Sequence, residues 1–368
     1  AVIVPFFTEW GGISLAQMMF VQSWFIVWVF LLEIPTGALA DYLGRKRTIL
    51  LGVAANIAGV IVYTSAPHLV FFLAGEFLWA LAIALFSGSQ DALLYDSLKA
   101  YGREHESKKA GGRLDAVKLW GLMIAAPIGS LIARFVGIRE TMLFMAVPLI
   151  VAFFVLAPLA EATANPKRQR VSYGAIVRSG LKSFAANKAI RVLAADFVFV
   201  RGLVFMVVVV YQAALLELNV PIGYFGIIHA AILGIQAFYA SNLAAVDRRL
   251  GSKKRHIFVS ALVPAVAMIL LGMVRWLPAT VMFVALVLGI GMPRSRLLLN
   301  YIHKHVESGE RATVISVVSM LEGMFRAGLY LLVGLLVERS VWYTFVVLGG
   351  AVMLVAFLSR VKEEHLMD

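Results

Sequence analysis

The residues of this 368-residue chain best placed to do chemistry are ionisable side chains that interrupt long apolar runs. Glu76, Arg201, Arg294, Arg296, Glu322 and Arg326 fall toward the middle of such runs, and Glu33, Asp91 and Asp196 lie nearer one end. An ion in hydrocarbon costs some kilocalories per mole even on lenient insertion scales, so each of these groups must face a partner or a wet cavity. Guanidiniums such as Arg201 and Arg294 suit an anionic group of a substrate. Carboxylates such as Glu76, Asp91 and Glu322 suit proton uptake and release, since burial brings a carboxyl toward the neutral form. Glu322 and Arg326 are spaced i, i+4 and suit a structural ion pair on one helix. Arg294 and Arg296 point about 200° apart on a helix and cannot face the same cavity. Trp79, one turn beyond Glu76, is a candidate wall for the apolar part of a substrate. His229, with Gln236 two turns on, reads as a satisfied polar group between helices.

Other chemistries are excluded by what is missing. The chain has no cysteine, and it contains no H-E-x-x-H, G-x-S-x-G, phosphate loop or G-x-G-x-x-G after a strand. His303 and His305 have no clustered carboxylates beside them. No enzyme, no cofactor and no metal site is expected.

The elements that must position these charges are membrane helices. Apolar residues make up 61% of the chain and charged residues 15%, with mean hydropathy +0.88, which excludes a soluble globule and makes the lipid bilayer a partner. A helix of about 20 residues crosses a core of about 30 Å. On that measure the runs near 13–40, 48–66, 68–98, 114–137, 139–161, 190–218, 221–246, 257–275, 277–305, 311–338 and 340–360 are complete spans. Residues 1–10 rise only about 15 Å before Gly11-Gly12, and the pattern reads them as the end of a first helix whose beginning is missing. The expectation is an all-α polytopic membrane protein of twelve transmembrane helices.

Charge placement orients it. Of the 33 Lys and Arg, 24 fall on the side of the 41–47 loop, four on the other side and five within spans. Basic residues mark the cytoplasmic side, so the central loop and the C-terminus are expected there, in a bacterial inner membrane. Because the positive charge is scattered over six segments, a nucleic-acid partner is not expected.

The spans divide into an N-terminal bundle (1–161), a cytoplasmic linker (162–189) and a C-terminal bundle (190–368). In the linker Tyr173, Ile176, Val177, Leu181 and Phe184 recur at helical spacing behind Ser172 as N-cap, which predicts an interfacial amphipathic helix. The halves repeat one piece of punctuation: Asp41-Tyr-Leu-Gly44-Arg45-Lys46-Arg47 in the first, Asp247-Arg-Arg-Leu-Gly251-Ser-Lys253 in the second. Parallel halves with substrate at their interface are a transporter architecture.

Gly37-Ala-Leu-Ala-Asp41-Tyr-Leu-Gly44-Arg45-Lys46 resembles the loop signature G-x-x-x-D-x-x-G-R-[RK] of the major facilitator superfamily. Glu33-Ile-Pro35 and Asp91-Ala-Leu-Leu-Tyr95-Asp96 are similar to a bacterial efflux-like branch. The resemblance implies two six-helix bundles, alternating access and no catalytic residue. It also implies a gating network of Gly37, Asp41, Gly44, Arg45 and Asp96 near the start of the 311–338 helix, where Gly37 allows close helix approach and Gly44 a tight turn. The family's frequent helix-four Arg is absent from Glu76-Phe-Leu-Trp79, and its antiporter signature survives only as Ala126-Pro127-Ile-Gly129-Ser130. The function expected is proton-coupled efflux of a small amphiphilic drug or metabolite by a monomer. The alternatives are an importer or facilitated-diffusion carrier of an organic anion, and a non-transporting receptor or scaffold.

Overall fold

The computed structural model describes residues 2–159, 173–307 and 310–366, apart from the side chains of Asp41, Lys108, residues 173–179 and Ala312. The described residues contain helices, turns and no strand. They form two compact units, Val4–Arg170 and Val171–Asp368.

The first unit contains α1 (Ile3–Pro5), a π-turn (Phe6–Trp10), α2 (Leu15–Leu43), α3 (Arg45–Tyr63), α4 (Leu69–Phe86), α5 (Ser89–Ala100), α6 (Ser107–Phe135), α7 (Ile138–Leu143) and α8 (Ala146–Leu156). The second contains α9 (Tyr173–Ala186), α10 (Lys188–Glu217), α11 (Phe225–Ser241), α12 (Leu243–Leu250), α13 (Lys253–Met273), α14 (Leu277–Lys304), α15 (Arg311–Arg339) and α16 (Val341–Leu358). Eleven helical stretches among the described residues are long and apolar enough to cross a membrane, and they coincide with the eleven complete spans expected. Outward-facing Trp120, Phe135 and Phe154 are exposed, as side chains bathed by lipid tails would be.

Local chemistry sets the helix ends. Ser14 and Gln17 form a reciprocal capping box at the start of α2, and Asn187 Oδ1 accepts from the first amides of α10. Gly44 (φ +91°, ψ 160°) and Gly251 (φ +70°, ψ 0°) make the turns in the repeated loops; both take a positive φ, which suits glycine, but in different conformations.

Three spans expected to be continuous are broken. The 68–98 run divides into α4 and α5 at Gly88, whose φ of +69° is left-handed and cannot continue a helix. The 221–246 run divides into α11 and α12 at Asn242, whose side-chain amide takes the Phe238 carbonyl at 2.8 Å and competes with the backbone ladder. The 139–161 run divides into α7 and α8. A Cβ at Gly37 would meet nothing within 4 Å among the described residues.

The amphipathic helix predicted in the linker is α9, which packs on α15. Ser183 Oγ donates to Glu310 Oε2 at 2.5 Å, and Gly180 lies so near Thr313 that a Cβ would come within 2.4 Å of its methyl. The predicted cap Ser172 and linker residues 162–172 lie outside the described residues. At the other end, Val361 and Leu366 join the buried cluster of Ile190, Phe197, Leu298, Ile302 and Val314, so the C-terminal tail is part of the second unit's core.

Candidate functional site

The first unit buries one carboxylate deeply. Glu76 on α4 is 2% exposed. Its Oε1 accepts from Tyr63 Oη of α3 at 2.8 Å and from Gln22 Nε2 of α2 at 2.6 Å. Both partners are neutral, and no cation among the described residues comes within ion-pair distance of Glu76. Both donors converge on one oxygen, Oε1. Gly75 makes it possible, since a Cβ there would lie 2.3 Å from the Tyr63 ring. Trp79 stacks on Tyr63, ring centroids 4.6 Å apart, and its Nε1 is buried without a hydrogen-bond partner among the described residues. Phe6, Phe7 and Phe72 close the aromatic shell, while Trp24, Trp28 and Phe77 form a second aromatic row.

The second unit holds two charge centres. In one, Arg294 of α14 is 2% exposed and donates through Nη2 to Asp196 of α10 and through Nε to the Ile257 carbonyl of α13 at 3.2 Å. Asp196 Oδ2 also accepts from Ser359 at 2.7 Å. Arg294 is thus directed to protein partners, and Arg296, expected to diverge from it, is exposed. In the other centre, Arg201 of α10 donates to Ser295 Oγ of α14 at 2.7 Å. Glu322 of α15 stands 3.8 Å from Arg201 and 3.4 Å from Arg326, the latter on its own helix at the predicted spacing. Two histidines are satisfied within the same unit: His229 Nδ1 pairs with Tyr211 at 2.9 Å, and His256 bridges Asp247 and Tyr239 at 2.6 and 2.7 Å.

The remaining expected residues lie at the turns. Gly44 joins α2 to α3, Arg45 and Asp96 are half-buried, and Asp91 is exposed in the first turn of α5. The side chain of Asp41 lies outside the described residues. Among the described residues no group of three or more His, Asp or Glu could hold a metal ion.

Sequence reasoning did not find Tyr63, Gln22, Ser295 or Ser359, nor the pairing of Asp196 with Arg294. A signal existed for Gln22, since a primary amide inside an apolar run must find a partner. For Asp196 and Arg294 the signal was two opposite charges on spans of the same half.

The arrangement is that of a helical membrane protein with polar centres inside its bundles, and comparison with known proteins agrees. The structure is similar to that of a variant of the nucleoside transporter NupG, with TM-score 0.78 and 15% identity over 96% of this chain and 92% of that one. It is also similar to a D-xylose-proton symporter, with TM-score 0.77 and 12% identity over 98% and 93%. A POT family transporter in complex with a thioalcohol-conjugated peptide matches with TM-score 0.72 and 14% identity over 95% and 88%. At these identities the likeness is one of fold. The sequence profile of the Major Facilitator Superfamily matches residues 1–327, and this multi-pass membrane protein belongs to that family of transporters.

Proposed function

We propose that the protein is a secondary active transporter that carries a small organic solute across the bacterial cytoplasmic membrane by alternating access, as a monomer, with protons as the driving ion. Its central loop and C-terminus face the cytoplasm. The observation that carries the reading is the setting of Glu76: a buried carboxyl with two neutral donors on Oε1, no cation near it among the described residues, and Oε2 left for a proton. An uncompensated carboxylate there is costly, so the group cycles between a neutral buried state and an ionised state that requires water. The two donors hold the ring of partners in place through both states.

The direction proposed is outward, an amphiphilic cargo exchanged for protons, with half-buried Trp79 beside this carboxyl as its apolar contact. The half-exposed Arg201 beside Arg326 supports the other direction, uptake of an organic anion. Gly37, Asp41, Gly44, Arg45 and Asp96 are proposed to gate the cytoplasmic side. The test is proton flux in proteoliposomes under an imposed pH gradient. Glu76→Gln keeps both hydrogen bonds and is expected to abolish proton-driven solute accumulation while leaving solute exchange. Unchanged rate and pH dependence in Glu76→Gln would refute Glu76 as the proton site, and absence of solute flux under any gradient would refute transport.

A further inference from the structure

Most polar centres of the second unit are complete: Arg294 has Asp196 and Ile257, His229 has Tyr211, and His256 has Asp247 and Tyr239. The cluster of Arg201, Ser295, Glu322 and Arg326 is not. Glu322 is 5% exposed, yet its Oε1 has no hydrogen-bond partner among the described residues. The nearest cation, Arg201 Nε, stands 3.8 Å away, beyond hydrogen-bond length. Arg326 Nε is a buried donor in the same condition. Native interiors leave few such groups, and two in one cluster call for an explanation.

The rest of the cluster shows what is missing. Two guanidiniums and one carboxylate leave a charge of +1. Arg201 spends Nη1 on Ser295 and keeps its remaining fork. Each guanidinium rests on an aromatic ring, Arg201 on Phe197 at 5.6 Å and Arg326 on Phe205 at 4.5 Å, which fixes its plane. The side chains of Arg201 and Arg326 retain 31% and 22% exposure, so the guanidiniums are open to a ligand, and Glu322 Oε1, 3.8 Å behind Arg201, is reached by a ligand donor as Arg201 turns onto the ligand carboxylate.

The geometry points to a site for a carboxylate that carries a hydrogen-bond donor on the adjacent carbon, the head group of an α-hydroxy or α-amino acid. The ligand carboxylate takes the forked donors of Arg201 and Arg326 and cancels the excess charge. Its hydroxyl or ammonium donates to Glu322 Oε1. A plain carboxylate leaves Oε1 unpaired, and a neutral solute leaves the positive charge uncancelled. Sites built on a buried polar group reject the analogue that lacks its complement more strongly than they reject a change of shape. The inference rests on the transport reading above and narrows its cargo.

Four fragment probes test it on the purified full-length protein in detergent: glycolate, glycine, acetate and acetamide, each titrated against thermal unfolding. Glycolate or glycine is expected to bind about tenfold or more tighter than acetate, the factor a charge-assisted bond to Oε1 supplies, with acetamide inert. Which of glycolate and glycine is preferred separates hydroxy from amino acids. Arg326→Gln is expected to weaken both acids, and Glu322→Gln to bring glycolate and acetate within about threefold as the charged acceptor is lost. Because Arg201→Gln leaves Glu322 with Arg326 as its one cation among the described residues, the charge-balanced Arg201→Gln/Glu322→Gln double variant replaces it, and it is expected to lose the preference. Equal effects of all four probes, or acid binding untouched in Arg326→Gln and the double variant, would overturn the site. Proton uptake by unsubstituted protein in liposomes is followed in parallel. Proton-driven flux without acid preference removes this cargo alone, and acid preference without flux removes the transport reading alone.

Discussion

The buried pair Asp196–Arg294 gives the sharpest quantitative expectation. Both side chains are nearly sealed, at 4% and 2% exposure. Replacing Asp196 by Ala leaves Arg294 with a single neutral acceptor, the Ile257 carbonyl, and strips Ser359 of its acceptor. Removing one member of a buried ion pair costs about 3–5 kcal/mol because the other charge stays buried and unpaired. The lost Ser359 bond adds about 1 kcal/mol, so Asp196→Ala belongs at the upper end of that range. Arg294→Met is expected to cost a similar amount, since Asp196 then keeps only Ser359. The double variant Asp196→Leu/Arg294→Met removes both charges and fills similar volume, and replacements of this kind are neutral or stabilising. Its cost is expected to be within about 1 kcal/mol of zero, giving a coupling of several kcal/mol between the sites. Equilibrium unfolding in mixed micelles, read by tryptophan fluorescence, measures the unsubstituted protein, these variants and the Asp196→Leu single variant that closes the cycle. Single variants that each cost under about 1 kcal/mol, or a double variant whose cost is their sum, would refute the claim that this pair is a sealed charge centre.

Gly88→Ala places a Cβ on a left-handed residue between α4 and α5 and is expected to destabilise by about 1 kcal/mol, whereas Gly37→Ala, which meets open space, is expected to be neutral in the same unfolding assay. Glu363 accepts from the Lys253 and Lys254 amides and from Ser252 Oγ, all at 3.2 Å, so Glu363→Ala is expected to cost about 0.5–2 kcal/mol as a lost helix cap. Burial holds His365 below the ordinary imidazole range despite Glu364 at 3.7 Å, and a base whose folded pKa is lowered favours the docked tail only while neutral. Amide exchange across 361–366, corrected for intrinsic rate, is therefore expected to rise as the pH falls from the unperturbed value through the folded one, and a flat profile would refute this. The chain lacks cysteine, so His105→Cys and Ser65→Cys provide clean topology probes: a membrane-impermeant thiol reagent is expected to reach the first only from the cytoplasm and the second only from outside.

How much of this was legible in the residues depends on the range of the physics involved. Bilayer thickness imposes a length on every apolar run, which is why eleven spans could be read directly and agree with the helices formed. The breaks at Gly88 and Asn242 were missed because hydropathy is blind to a single backbone angle or side-chain bond. Glu322–Arg326 was visible because the partners are one turn apart on one helix. Asp196 and Arg294 are separated by 98 positions, and their pairing depends on α10 lying beside α14. Glu76 was singled out as a buried carboxyl, but its hydrogen-bonded setting was not, because Tyr63 and Gln22 come from two other helices.

The two units treat charge in opposite ways, and the difference bears on function. In the second unit each deeply buried ion has an ion of opposite sign within 4 Å, on its own or a neighbouring helix. Such pairs hold their charge through a change of surroundings, because separating them costs more than moving them together. Glu76 has only neutral donors, so its charge is set by whether Oε2 holds a proton. A pair that keeps its charge is suited to hold helices in register, and a carboxyl that does not keep its charge is suited to report which side of the membrane it faces. The cluster at Arg201 stands between these cases, paired but one negative charge short, and a cluster one charge short is completed by a ligand rather than by a proton. On the roles proposed for Glu76 and for the Arg201 cluster, proton and solute act on different helices, α4 for the one and α10 with α15 for the other.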